Sequence, residues 1–129
     1  MEIVGTPPNL VGLACEAFIC EGFVHKGEVV ANANVVYLRF AGIWHKLVLD
    51  CGVIIWRRLT EDPAPSAIDH LGYQYPHADI GALAGVIGYP LKDYRMQSNS
   101  ITAQVAFSFE NGRTIIINNA NDRSTWRIA

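Results

Sequence analysis

Four histidines, His25, His45, His70 and His77, are the side chains of this sequence best suited to move protons or hold a metal near neutral pH. Two of them share the turn-rich stretch Asp69-His-Leu-Gly-Tyr-Gln-Tyr-Pro-His-Ala-Asp79 with two carboxylates, a donor set able to gather a divalent cation or serve a small hydrolase. The spacing is neither H-x-x-x-H nor H-E-x-x-H, so nothing local places two imidazoles on one helical face. The plainer expectation is an exposed loop whose Tyr73 and Tyr75 pack on a sheet. Cys51 and His45 offer a thiol and a base, but along one strand they point to opposite ends. Ser66, Ser98 and Ser100 lie in polar, turn-like stretches and none sits in G-x-S-x-G. Glycine-rich phosphate loops and carboxylate pairs at a telling spacing are also missing. The residues therefore predict a non-enzymatic protein with no cofactor and no metal.

Aromatic and basic residues are concentrated instead on one segment, where Tyr37, Arg39, Trp44, Lys46, Trp56, Arg57 and Arg58 fall within a short span. If Ile43, Leu47 and Leu49 face a core, strand alternation sends Trp44, Lys46 and Val48 the other way and leaves His45 on the Ile43 side. Tryptophan, tyrosine and arginine are the types most enriched at interface hot spots, and an uncovered outward Trp costs solubility. These seven residues are the candidate partner-binding set. The competing expectation is that a helix or the 69–79 loop covers Trp44.

The elements that must position them are mostly strands. Val36, Leu38 and Phe40 alternate with Tyr37 and Arg39, Ala41-Gly42 interrupts, Ile43 to Leu49 returns, and Asp50-Cys51-Gly52 turns the chain into Val53 to Arg57. A second meander follows the same grammar. Ile101, Ala103, Val105, Phe107 and Phe109 alternate with polar or small residues, Asn111-Gly112 predicts a type I′ hairpin turn, and Ser124 to Ile128 closes the unit. Two helices are candidates. One covers 80–87, with Asp79 as N-cap and Gly88 past its end; the other covers 10–20, which suits a buried strand equally well. The expected fold is α+β and predominantly antiparallel β: two β-meanders, about 35–58 and 101–128, in a single domain over 1–129. A Leu-x-Gly-like segment before each meander and Trp-Arg at each end suggest a duplicated unit, 10–58 and 83–128.

Composition narrows the function classes. The chain has 129 residues, enough for one core without disulfide or metal staples. Half of them are hydrophobic and only 17% charged, which leaves room for an apolar docking patch. A net charge of −2, with both signs dispersed, gives no footprint for a nucleic-acid backbone or an anionic membrane. No apolar run reaches the roughly 20 residues of a spanning helix. The N-terminal Met-Glu-Ile-Val-Gly-Thr-Pro-Pro lacks a basic export region, and Cys15, Cys20 and Cys51 form no C-x-x-C, so a reduced, cytoplasmic protein is expected.

The stretches Val36-Tyr-Leu-Arg-Phe-Ala-Gly-Ile-Trp-His-Lys-Leu-Val-Leu-Asp-Cys-Gly-Val-Ile-Ile-Trp-Arg57 and Val105-Ala-Phe-Ser-Phe-Glu-Asn-Gly-Arg-Thr-Ile-Ile-Ile117, the latter preceded by a Leu-Ala-Gly-Val-Ile-Gly segment, resemble small bacterial proteins of the immunity type. Those belong to toxin–immunity systems such as contact-dependent growth inhibition. The resemblance covers about two-thirds of the chain, rests mainly on hairpin grammar, and carries over no catalytic residue. It implies a protein that binds a cognate toxin domain and neutralises it by occlusion. The mild net charge departs from the strongly acidic inhibitors that match basic nucleases, so a mixed aromatic and polar interface is expected. The alternatives are the metal or hydrolase function of the 69–79 loop and a homo-oligomeric structural or ligand-binding module, for instance a homodimer.

Overall fold

The computed structural model describes residues 1–129 and is 63% strand, with one five-residue helix and one 3-10 turn. The strands are β1 Glu2–Val4, β2 Cys15–His25, β3 Glu28–Phe40, β4 Ile43–Asp50, β5 Val53–Leu59, β6 Ser66–Ile68, β7 Tyr73–Tyr75, β8 His77–Asp79, β9 Leu91–Ser98, β10 Ala103–Phe109, β11 Thr114–Ala120 and β12 Arg123–Ile128; the helix, α1, is Ile80–Ala84. The expected α+β class gives way to an essentially all-β one. A five-residue helix buries too little surface to be a layer.

Two sheets face each other. The larger has the order β1-β5-β4-β3-β2-β7-β6, with β8 also pairing β2; the smaller is β12-β11-β10-β9. All pairings are antiparallel except β1 on β5. Both expected meanders form, and each is one strand longer than the sequence suggests: β2 precedes β3–β5, and β9 precedes β10–β12. Between the sheets, β5 lies over β9, β4 over β10 and β11, and β3 over β12. The starts of the two meanders are stitched together by an isolated bridge at Ala14 and Pro90.

Inner-face residues make the core: Phe18, Val36, Leu38, Phe40, Leu47, Leu49, Ile54 and Trp56 from the larger sheet meet Leu91, Val105, Phe107, Phe109, Ile115 and Ile117 from the smaller. Phe18 sits edge-on to Phe107 at 5.2 Å between ring centroids, a favoured aromatic geometry. On β3 the buried set runs Ala31, Ala33, then Val36, Leu38 and Phe40, a one-residue slip opposite the register shifts of β2. A bulge of this kind bends the strand pair, so the β2–β3 hairpin runs beyond the core.

Turn chemistry differs from expectation at one place. Lys26-Gly27, Ala41-Gly42, Cys51-Gly52 and Asn121-Asp122 are two-residue turns with both residues at positive φ, the type I′ pattern. At Asn111-Gly112 only Gly112 is left-handed, and Phe109 and Arg113 close a longer loop with a bulge. Asn111 spends its side chain on Arg113 N, which it accepts, and Gly85 O, to which it donates.

The helix keeps its expected N-cap, since Asp79 Oδ1 accepts from Ala82 N at 3.0 Å, but ends at Gly85 rather than Gly88. Leu83 faces solvent while Ile80 and Ala84 enter the core. The 10–20 segment is no helix: Leu10 to Leu13 turn, and Cys15 begins β2.

Candidate functional site

The register of β3, β4 and β5 decides which candidate residues share a face. Tyr37 pairs with Lys46 and Lys46 with Arg57; Arg39 pairs with Trp44 and Trp44 with Leu59. These two rows lie on the side of the larger sheet away from the smaller one. Beside them, Val35, Val48 and Ile55 on the same side are each half-buried. No second layer covers this face, so it presents aliphatic and aromatic surface studded with Arg39, Lys46 and Arg57.

Trp44 is held rather than loose. Its Nε1 donates to Asp62 Oδ1 at 3.0 Å, which ties the β5–β6 loop to the sheet, while the 69–79 loop lies elsewhere. Arg39 stands 4.0 Å from Glu16, and Arg57 Nη1 donates to its neighbour's carbonyl, Trp56 O, at 3.0 Å.

Trp56 does not belong to this face. It is only 2% exposed, donates Nε1 to Met96 Sδ at 3.3 Å, and packs edge-on to Tyr94 at 5.8 Å. Its assignment to a partner-binding set is corrected: it is a core residue. The reason is register, because Trp56 pairs with Leu47, which faces inward. Arg58 is likewise on the inner side of the sheet, paired with His45 at the frayed end of β5 beyond the core.

At the opposite edge of the outer face, Glu21, which the sequence did not single out, joins the candidates Tyr37 and His77 in a polar trio. His77 Nε2 lies 2.9 Å from Glu21 Oε1, and both side chains are only 13% exposed. The Tyr37 ring stands 5.6 Å from the His77 ring, and burial first, then the nearby Glu21 carboxylate, raises the Tyr37 pKa. The pairing of Glu21 with His77 across β2 and β8 fixes a short strand that Pro76 would otherwise leave free. The signal was the alternation of Ile19 and Glu21 with buried Phe18 and Cys20, hidden while 10–20 remained ambiguous.

The 69–79 loop does not converge on a metal. His70 is exposed in the 3-10 turn, His77 is engaged by Glu21, and Asp79 caps α1. Tyr73 and Tyr75 do pack on the sheet, both against Phe23, at 5.3 and 5.4 Å. The set whose ligand atoms approach one another, Asp50, Cys51 and Asp122, is exposed and joins two turns. His45 and Cys51 do not meet.

Thiol chemistry is equally unfavoured. Burial pushes the Cys15 and Cys20 thiols up to about 12, and the hydrogen bond from Cys51 to Asp122 raises the third. Thiolate, the reactive form, is scarce at all three. Iodoacetamide at neutral pH is expected to alkylate Cys51 alone, slowly, in the folded protein, and all three cysteines in denaturant, as read by intact mass. Rapid labelling of Cys20 without denaturant would contradict the packing of β2.

Comparison with protein-family models, with curated proteins and with solved structures finds no match. No helix is long and apolar enough to cross a membrane. What the chain offers by itself is a β-sandwich with an uncovered, cation-bearing outer face.

Proposed function

We propose that the protein is a non-enzymatic binding module that docks a protein partner on the outer face of β3, β4 and β5. In its most concrete form it is an immunity protein that neutralises a cognate toxin domain by occlusion in the cytoplasm. The observation that carries this reading is the row pairing of Tyr37, Lys46 and Arg57 beside Arg39, Trp44 and Leu59 on a face with no covering layer. Apolar and aromatic surface supplies desolvation energy on docking, and the three cations select a partner with an acidic rim. Trp44, already fixed by Asp62, loses little conformational freedom when it is buried, which is what an anchor residue requires.

Co-expression with the product of the adjacent gene tests the proposal. A complex and relief of toxicity are expected; neither appearing would refute the immunity reading. Within such a complex, Trp44→Ala is expected to weaken binding by about 2 kcal/mol, roughly thirtyfold in Kd. Arg57→Ala or Lys46→Glu is expected to act mainly on the association rate and its salt dependence. Unchanged affinity for Trp44→Ala, with melting temperature preserved, would remove this face from the interface. A homodimer formed through the same face would show instead as a concentration-dependent mass lost in Trp44→Ala.

A further inference from the structure

We propose that a second site, which shares Arg57 with the docking face, lies at the open end of β5, where a cleft of about 380 Å3 between His45, Arg57, Arg58 and the Gly5–Pro8 segment binds the dianionic phosphoryl group of a small phosphate monoester. The geometry begins with β1, which runs parallel to β5 with Val4 beside Ile55. That brings Gly5 against Trp56: a Cβ there would stand 2.1 Å from Trp56 O, so only glycine passes. The chain then turns away over the end of the sheet, and Pro8 O accepts the Tyr94 hydroxyl, which pins the far wall. Thr6 and Pro8 form that wall, while the register of β4 and β5 sets His45 opposite Arg58.

The charge in this cleft is uncompensated. The chain's ion pairs join Arg39 to Glu16, His77 to Glu21 and Arg95 to Asp93, and none involves His45, Arg57 or Arg58. Burial, and then the nearby Arg58 guanidinium, lower the His45 pKa. Two permanent guanidinium charges match a phosphate dianion, and their forked donors suit tetrahedral oxygens. A monocarboxylate would leave one charge unmet. The Thr6 hydroxyl adds a donor, and the cleft volume falls within the range of small-ligand sites. Arg57 is shared with the docking face, whereas Arg58 and His45 point to the inner side of the sheet, so a substitution at Arg58 probes this site without altering that face.

Titration of the full chain with inorganic phosphate and with glycerol 3-phosphate, followed by NMR of backbone amides and histidine rings, tests the assignment. Both probes should shift Gly5, Thr6 and His45 saturably, and should move the His45 titration midpoint upward, since an anion favours the imidazolium. Sodium chloride at matched ionic strength should do neither. Arg58→Gln should weaken phosphate binding about tenfold, as loss of a charge-assisted pair requires, and Arg58→Lys should recover part of it. Arg127→Gln, an exposed cation on the other sheet, should leave it unchanged. The site is refuted if chloride reproduces the shifts, if Arg58→Gln binds phosphate as tightly as the parent with its melting temperature intact, or if succinate binds as well as phosphate.

Discussion

Trp56→Ala is expected to cost about 3–5 kcal/mol of folding stability and to lower the melting temperature by about 10–20 °C. The side chain is the largest in the core, and its ring stands among Tyr94, Phe107 and Met96. Truncation loses the transfer energy of the indole and leaves a cavity in a sandwich whose sheets cannot collapse onto it, since β5 and β9 are each fixed by their own neighbours. It also strips two edge-to-face aromatic contacts, each worth about 0.5–1.5 kcal/mol beyond area. Trp44→Ala, with the same chemistry on the outer face, should cost no more than about 1 kcal/mol. Thermal and urea unfolding followed by far-UV circular dichroism separates the two. Similar melting temperatures for both variants would mean that Trp56 is not the hub of the β5–β9 contact.

That contrast also shows what was legible in the sequence. Strict alternation in Val36 to Phe40 and Ala103 to Phe109 names the inner face correctly, because one face is apolar and the other is not. Val53-Ile-Ile-Trp56 is apolar on both faces, so alternation alone assigns no direction to Trp56. The missing constraint was nonetheless present: the two-residue turn at Cys51-Gly52 fixes Leu49 opposite Ile54 and Leu47 opposite Trp56, hence Trp56 inward and His45 beside Arg58. Helix or strand could not be settled for Cys15 to Cys20, where Ala17 and Ile19 make the outer face as apolar as the inner. β9 went unread because Lys92, Asp93, Arg95 and Gln97 give it a polar outer side at a sheet edge, and a register shift at Ser108 and Phe109 breaks its alternation. The parallel contact of β1 with β5 has no local signature at all. It joins segments some fifty residues apart through backbone hydrogen bonds, and with it goes the wall of the cationic cleft.

Gly52→Ala is the second large effect, and its size comes from neighbours rather than from φ alone. Gly112 and Gly52 have nearly the same backbone, φ +84 and +85, so an alanine at either pays the left-handed penalty of about 1–2 kcal/mol. At Gly112 the added methyl meets nothing within 4 Å; at Gly52 it would stand 2.2 Å from Asn99 O and 2.9 Å from Ser100 C. Those are backbone atoms of the β9–β10 connection, so one sheet must move against the other. The movement reaches a buried polar network: Asn119 Oδ1 accepts from Cys51 N at 3.1 Å, Asn119 Nδ2 donates to Ser124 Oγ, and Ser124 Oγ donates to Leu49 O. Asn119 and Ser124 are each only 3% exposed, so a broken link strands polar atoms away from water at about 1–3 kcal/mol each. The expected total is about 3–5 kcal/mol for Gly52→Ala against about 1–2 kcal/mol for Gly112→Ala. Urea midpoints at constant m-value measure the difference. Equal costs would show that the β4–β5 turn does not clamp the two sheets, and that the β9–β10 loop yields to it freely.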